Sequence, residues 1–237
     1  MKIFLKKIVN NFGYRISKIN KNQLQNENPL VAIKKAIRDQ NEIVLFDIGA
    51  NLGQTIKKMR FEFPVSKIYA FEPNRSCYNA LKMNLDSKNV FVFNNAVGSE
   101  NTTIKFNEYS WSALSSILKR AFGSAQIIDT YDVDLISIDS FCKTNNISKI
   151  DFLKTDTEGY ELEVLKGASE MMDKNKIQFV YTEVFFKENF IGQASFGDIY
   201  NFLLSKNFEL VKIYDFEITT DGLANRSDAL FMNKKFE

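Results

Sequence analysis

Ile43-Val44-Leu45-Phe46-Asp47-Ile48-Gly49-Ala50-Asn51-Leu52-Gly53 is the stretch that decides the fold. It reads as a buried parallel strand running into a turn that bears two glycines. Lacking Cβ, Gly49 and Gly53 let the backbone turn sharply and come close to a ligand. An acid, Asp47, stands at the strand end just before the first glycine. A second strand, Lys67-Ile68-Tyr69-Ala70-Phe71, follows and ends in Glu72-Pro73. Strand, tight turn, helix and a second strand ending in a carboxylate make the nucleoside-binding half of an α/β sheet.

The order of acid and glycines narrows the ligand. A dinucleotide fold uses G-x-G-x-x-G to place a pyrophosphate on a helix N-terminus. Here the pattern is D-x-G-x-N-x-G, and Asp47 would repel a pyrophosphate. A carboxylate suits a ligand carrying an ammonium and a sulfonium, which points to S-adenosylmethionine. Glu72 lies 25 residues after Asp47, where its two oxygens are expected to accept both hydroxyls of a ribose.

The bulk composition agrees with one α/β domain. The chain has 237 residues, of which 45% are apolar, enough for a substantial core. A net charge of +2 supplies no global field for nucleic acid. The two cysteines, Cys77 and Cys142, are far apart and in no metal-ligand spacing, which suits a reduced cytoplasmic setting. No apolar run approaches the ~20 residues of a spanning helix. Histidine is absent, so His-based triads, His metal clusters and an imidazole base are excluded. Proton transfer falls to Asp, Glu, Lys, Tyr, Cys or water.

Residues 1–40 read as a basic helical N-terminal extension and residues 41–237 as the catalytic domain. Residues 1–21 hold Lys2, Lys6, Lys7, Arg15, Lys18 and Lys21 and no acid, with apolar residues at helical spacing. Such a helix suits an anionic membrane surface, its own domain or a second subunit. A polar linker spans 20–29, and a helix over 30–40 leads into the first strand.

Strands are then expected at Ile43–Asp47, Lys67–Phe71, Val90–Phe93, Asp151–Lys154, Gln178–Thr182, Glu209–Tyr214 and Asp228–Phe231. Helices are expected near Gln54–Phe61, Arg75–Leu85, Ser140–Asn146, Glu161–Leu165 and Phe196–Leu204, with Gly167 as a C-cap. Residues 99–138 break the rhythm, with strands at Thr102–Phe106 and Tyr131–Ile138 around a Ser-rich loop, Tyr109–Ser116. The alternation predicts a mainly parallel sheet covered on both faces, with an antiparallel last pair.

Ligands in such sheets bind beyond the carboxyl ends of the strands, at the topological switch point. Polar residues collect there: Asp47 and Asn51, Glu72, Asn94 and Asn95, Asp156 and Glu158, and Glu183. Caps and turns account for some of these residues singly and account poorly for the whole set.

The chain resembles the FkbM-type methyltransferases, a branch of the S-adenosylmethionine-dependent enzymes. Matching segments are Phe46-Asp47-Ile48-Gly49-Ala50-Asn51-Leu52-Gly53, Tyr69-Ala70-Phe71-Glu72-Pro73, Asn95-Ala96-Val97-Gly98 and Ser115-Ser116. The longest match is Phe152-Leu153-Lys154-Thr155-Asp156-Thr157-Glu158-Gly159-Tyr160-Glu161, continuing into Val164-Leu165-Lys166-Gly167-Ala168. The resemblance covers roughly residues 43–232, and Thr155 and Thr157 stand where Ile and Val are more usual. It implies an α/β fold of the seven-stranded Rossmann-like (class I) type, mainly parallel with an antiparallel closing strand and helices on both faces. Its implied cofactor contacts are Asp47, Gly49, Asn51, Gly53, Glu72, Asn95, Ala96, Ser116 and Asp156.

The resemblance implies methyl transfer, usually to oxygen, on a sugar or another small natural product. A nucleotide-linked sugar or cell-surface glycan precursor is the expected acceptor, serving surface polysaccharide. A sugar hydroxyl must lose its proton, and with no histidine Asp156 is the first choice of base, with Glu158 and Glu183 as alternatives. The same three acids offer an all-oxygen site for Mg²⁺. Lys154 is expected to pair with one of them. Two readings are open for Ser115 and Ser116: a clasp on sugar or cofactor, or a polar surface loop. Two are open for Phe185, Phe186 and Phe190: a wall of the acceptor pocket, or core under a lid. Competing functions are a nucleic-acid or protein methyltransferase and a non-catalytic nucleotide-binding protein. The Asn-Pro-Pro-Tyr-like motif of base methylation is missing, and the acidic edge would repel phosphates.

Overall fold

The computed structural model describes residues 28–37, 42–84 and 88–236. The basic helix expected within residues 1–21, with its membrane or subunit contact, and the linker up to residue 27 lie outside the described residues. In chain order the elements are α1 (Pro29–Ala36), β1 (Val44–Ile48), α2 (Gln54–Glu62), β2 (Lys67–Phe71), α3 (Arg75–Asn84), β3 (Val90–Phe93), β4 (Ala96–Val97) and β5 (Thr102–Tyr109). They continue with β6 (Ile127–Ile136), α4 (Ile138–Thr144), β7 (Ile150–Thr155), α5 (Glu161–Lys166), α6 (Ser169–Asp173), β8 (Ile177–Phe185), α7 (Phe196–Ser205), β9 (Phe208–Ile218) and β10 (Ala224–Asn233). No helix among the described residues is long and apolar enough to cross a membrane.

The main sheet has seven strands in the order β3-β2-β1-β7-β8-β10-β9. Only β10 runs against its neighbours, β8 and β9. The chain leaves β1 towards β2 on one side and later returns to β7 on the other, so the order switches between β1 and β7. That switch makes the crevice beyond their carboxyl ends the place for a ligand.

Alternation along the strands divides the core into two layers. Val44, Phe46, Ile48 and Leu153 face the layer closed by α4, α5, α6 and α7. Leu45 and Phe152 face the layer closed by α1, α2 and α3. Leu30 and Ile33 of α1 are buried in that second layer with Ile56 and Met59. Asn28 caps α1, its side chain accepting from the Leu30 N–H at 3.0 Å, and Pro29 stands at the first helical position, where its missing N–H is harmless.

Residues 96–136 form a second sheet, β4-β6-β5, with its own small core of Phe106, Tyr131, Val133 and Leu135. Strand β4 pairs parallel to β6, and β5 pairs antiparallel to it. Ile138, expected to end a strand, instead begins α4, because Ser137 caps that helix by accepting from the Ser140 N–H. Gly167 ends α5 as expected, though not in the left-handed conformation, since its φ is −68°. A Cβ there would lie 1.9 Å from the Gly98 carbonyl oxygen, so close backbone packing requires the glycine.

Candidate active site

The turn after β1 packs three left-handed residues into five positions: Gly49 (φ 80°), Asn51 (φ 46°) and Gly53 (φ 82°). Asn tolerates that region better than other side chains, which explains the D-x-G-x-N-x-G spacing. Gly49 also meets the strand beyond it. A Cβ at this position would stand 1.9 Å from the Asp156 carbonyl oxygen.

Glu72, at the end of β2, staples the two loops together. Its Oε2 accepts from the Asn51 N–H at 2.7 Å, and its Oε1 accepts from the Asn74 N–H at 2.8 Å. Asn94 braces the same loop, donating to the carbonyls of Glu72 and Pro73 at 2.8 and 3.1 Å. Burial pushes the Glu72 carboxyl up to about 7, against the pull of the two backbone N–H groups. Each oxygen keeps a further lone pair for a ligand hydroxyl.

Gly49, Asn51, Glu72, Asn95, Ala96 and Asp156 line one cavity together with Pro73, Ser115 and Glu158. Three expected cofactor residues stand apart from it. Gly53 serves as the N-cap of α2. Ser116 is 1% exposed, and its hydroxyl donates to the Glu158 carbonyl at 2.8 Å, so it ties the inserted loop to the β7 end while its neighbour Ser115 faces the cavity. Asp47 is fully buried and pairs with Lys154 at 3.1 Å. The sequence assigned Asp47 to a ligand ammonium; in the structure the cation it meets is the protein's own.

Register produces that pair. Asp47 and Lys154 are direct partners in the β1–β7 ladder and point to the same face. The Lys154 ammonium also reaches Asp156 at 3.3 Å and donates to the Gly49 carbonyl at 3.1 Å. Burial pulls its pKa down, but the carboxylates of Asp156 and Asp47 outweigh burial and hold the ammonium charged. Lys154 therefore fixes the glycine turn and Asp156 in one relation.

The loop after β7 is braced by Glu161, which is 1% exposed. Its carboxylate accepts from the Thr157 N–H at 2.7 Å, the Thr157 hydroxyl at 2.9 Å and the Gly159 N–H at 3.0 Å. Glu158, with φ 56°, is thereby turned towards Asp156 and Glu183. One oxygen from each of these three acids lies within 4.8 Å of the others. Arg226 of β10 stands among them, with Nη1 2.8 Å from Glu183 Oε1 and 3.9 Å from Glu158 Oε1. Its other edge grips Glu217 of β9 at 2.8 Å. The donor set would suit Mg²⁺ by chemistry, but the Arg226 guanidinium already engages Glu183 and lies near Glu158, so a metal ion there would compete with the protein's own cation.

Burial, and then Asp156 beside it, push the Glu158 carboxyl up to about 8 against the pull of Arg226. Glu183 is raised well above its ordinary range by burial and by Asp156, Glu158 and Glu161. Glu158 Oε2 and Glu183 Oε2 are buried without a hydrogen-bond partner.

Arg226, Asp215, Glu217 and Asp228 are site residues that the sequence reading passed over. Because β10 runs antiparallel, its early residues reach the carboxyl edge of the sheet. A bulge sets Asp215 and Phe216 opposite Ser227, between the pairs Tyr214–Asp228 and Glu217–Arg226. The signal was the alternation of charges in Asp215-Phe216-Glu217 and Arg226-Ser227-Asp228 on either side of the Asp221-Gly222 turn. Phe185 and Phe190 are core residues at 1% and 0% exposure, whereas Phe186 packs outward against Phe196 and Phe216.

Known proteins resemble this chain in sequence and in fold. The family model described as "Methyltransferase FkbM domain" matches residues 47–210. The chain is 25% identical over 189 residues to the 2-O-methyltransferase NoeI of Sinorhizobium fredii, covering 74% of this chain and 76% of that one. It is 29% identical over 147 residues to the hexuronic acid methyltransferase AglP of Haloferax volcanii, covering 61% of this chain and 57% of the relative, little more than half its length. Among solved structures, magnesium protoporphyrin IX methyltransferase from Synechocystis aligns over 97% of this chain and 96% of its own, at 10% identity and a TM-score of 0.46.

Proposed function

The chain belongs to the FkbM methyltransferase family, and from that premise we propose that it transfers a methyl group from S-adenosylmethionine to a hydroxyl of a small molecule, a sugar. The observation that carries this reading is a shared wall. Asp156 and Glu158 line both the cavity around Glu72 and the acidic hollow beyond β8 and β10. A donor in the first and an acceptor in the second would meet at these two acids. The names of the two relatives, one a 2-O-methyltransferase and one a hexuronic acid methyltransferase, support an oxygen on a sugar. The cavity around Glu72 opens to solvent beside the loop that carries Ser112 and Ser115.

The bound sulfonium supplies an activated methyl group, and the protein's task is to hold the acceptor oxygen in line and take its proton. Glu158 suits the proton better than Asp156. Asp156 is engaged by the Lys154 ammonium, whereas Glu158 Oε2 has no partner. A carboxylate that titrates near 8 is also the stronger base near neutral pH. Glu158 would take the hydroxyl proton, and S-adenosylmethionine held in the cavity around Glu72 would supply the methyl group to that oxygen.

Glu158→Gln should therefore lower kcat by about 10²–10⁴-fold while cofactor affinity measured by calorimetry stays within about threefold. The base is active when deprotonated, so kcat/KM should climb about tenfold per pH unit below 8 and level off above it. A flat profile between pH 6 and about 9 would remove Glu158 from this role. Because Arg226 already engages Glu183, methyl transfer is also expected to survive exhaustive chelation. Loss of activity restored by Mg²⁺ would reinstate a metal.

Calorimetry tests the reading as a whole. Well-folded protein that fails to bind S-adenosylmethionine would defeat it. A nucleic-acid substrate is disfavoured by the carboxyl groups around Arg226, which repel phosphates. Both free cysteines are buried, which supports a reducing, cytoplasmic setting.

A further inference from the structure

Two hollows of about 460 and 260 Å³ open beyond Asp156, and both are walled by Asp156, Asp215 and Asp228. Glu158, Glu183 and Glu217 add to the smaller one, so six carboxyl groups face three cations, Lys58, Lys154 and Arg226. Two of those cations are already matched. Lys154 lies between Asp47 and Asp156. Arg226 donates from Nε and Nη2 to Glu217 and from Nη1 to Glu183. The wall therefore carries more acid than the protein itself neutralises.

Acid clusters are common on surfaces, but Glu183 is not a surface group. Its side chain is 7% exposed and lines the smaller hollow, and its Oε2 has no hydrogen-bond donor. A buried carboxyl oxygen without a donor is costly to leave unmatched, and without a ligand burial and the neighbouring acids raise the Glu183 pKa well above its ordinary range. A ligand that brings N–H donors and positive charge restores the balance. Asp228 across the hollow takes one hydrogen bond, from the Tyr181 hydroxyl at 2.9 Å, and burial pushes its carboxyl up to about 6.

We propose that the acceptor carries a cationic amino group beside the hydroxyl to be methylated, as an amino sugar does, with its ammonium seated against Glu183 and facing Asp215 and Asp228. The proposal rests on the methyltransferase reading and names the acceptor class for that site. The ammonium offers three donors, one of them to the Glu183 oxygen that has none, and, being protonated, it is no nucleophile, so the methyl goes to the hydroxyl. A uronate or a sugar diphosphate brings like charge to the same wall. The nucleotide-linked sugar expected from the sequence is thus disfavoured wherever its phosphates would enter these hollows.

Calorimetric titration of the protein saturated with S-adenosylhomocysteine tests this, using D-glucosamine, D-glucose and D-glucuronate as probes. Glucosamine should bind about tenfold or more tightly than glucose, with glucuronate weakest, because charge-assisted hydrogen bonds are the strong ones. In Glu183→Gln the preference for glucosamine should shrink to about threefold or less. Glucose or glucuronate binding as tightly as glucosamine, or an undiminished preference in Glu183→Gln, overturns the proposal. If Glu183→Gln does not fold, shown by lost S-adenosylhomocysteine binding, Asp228→Asn takes its place under the same criteria. Wild-type protein that does not bind S-adenosylhomocysteine would instead defeat the methyltransferase reading itself.

Discussion

Lys154→Met should lower the melting temperature by on the order of 10 °C. The ammonium is buried between Asp47 and Asp156 and donates to the Gly49 carbonyl. Removing it leaves Asp47, at 0% exposure, as an uncompensated carboxylate with neither water nor partner. Breaking a buried ion pair from one side typically costs about 3–5 kcal/mol, and each kcal/mol shifts the melting point of a domain this size by roughly 2–4 °C. The pair as a whole is worth much less, because both charges were desolvated to form it. Combining Lys154→Met with Asp47→Leu should therefore recover much of the loss. Differential scanning calorimetry of the two single variants and the double variant would show this non-additivity. A Lys154→Met protein that melts within about 2 °C of wild type would mean that Asp47 finds another partner or carries a proton at little cost.

Glu72→Ala should weaken S-adenosylmethionine binding by about 10²-fold or more, since each hydrogen bond to a charged acceptor contributes about 1.5–3 kcal/mol and two ligand hydroxyls are expected there. The carboxylate also joins the Asn51 and Asn74 N–H groups, so the variant loosens the loops that shape the cavity. Glu72→Gln separates the two effects. It keeps one acceptor oxygen and nearly the same shape, and should retain part of the affinity lost in the alanine variant. Calorimetry on variants whose circular dichroism matches wild type gives the answer. A dissociation constant within about fivefold for Glu72→Ala would show that the ligand does not use this carboxylate.

The cofactor half was legible because it is local. The strand, the left-handed turn and the acid at the next strand end are each set by neighbouring residues. Gly49, Asn51, Glu72, Asn95, Ala96 and Asp156 do come together around one cavity. Which of Ser115 and Ser116 lines that cavity was not legible, since a loop sequence does not reveal which of two adjacent hydroxyls turns inward. The pairing of Asp47 was illegible for a different reason. Its partner is 107 residues away, and only the β1–β7 register brings the two side by side.

The half of the site proposed for the acceptor was largely illegible. Asp156, Glu158 and Glu183 stood at expected strand ends, but Arg226, Asp215, Glu217 and Asp228 lie on the last two strands, whose direction determines which ends reach the site. An antiparallel β10 brings its beginning to the edge where the parallel strands finish. The bulge opposite Ser227 then sets how Asp215 and Glu217 stand relative to Arg226 and Asp228. A pattern of alternating charge predicts that these residues share a face and says nothing about which cavity the face meets.

Composition, periodicity and turn chemistry by themselves determined the α/β class, the order of the strands and helices along the chain, the absence of histidine chemistry and the nucleoside-binding turn. These follow from interactions among residues close in sequence. Only the tertiary structure decided that Lys154 pairs with Asp47, that Arg226 reaches Glu183 and Glu158, and that six carboxyl groups and three cations line the two hollows beyond Asp156. Each of these depends on strands paired across long stretches of chain, where register and direction set which charges meet, and Coulomb energy depends on that distance and on the burial around it.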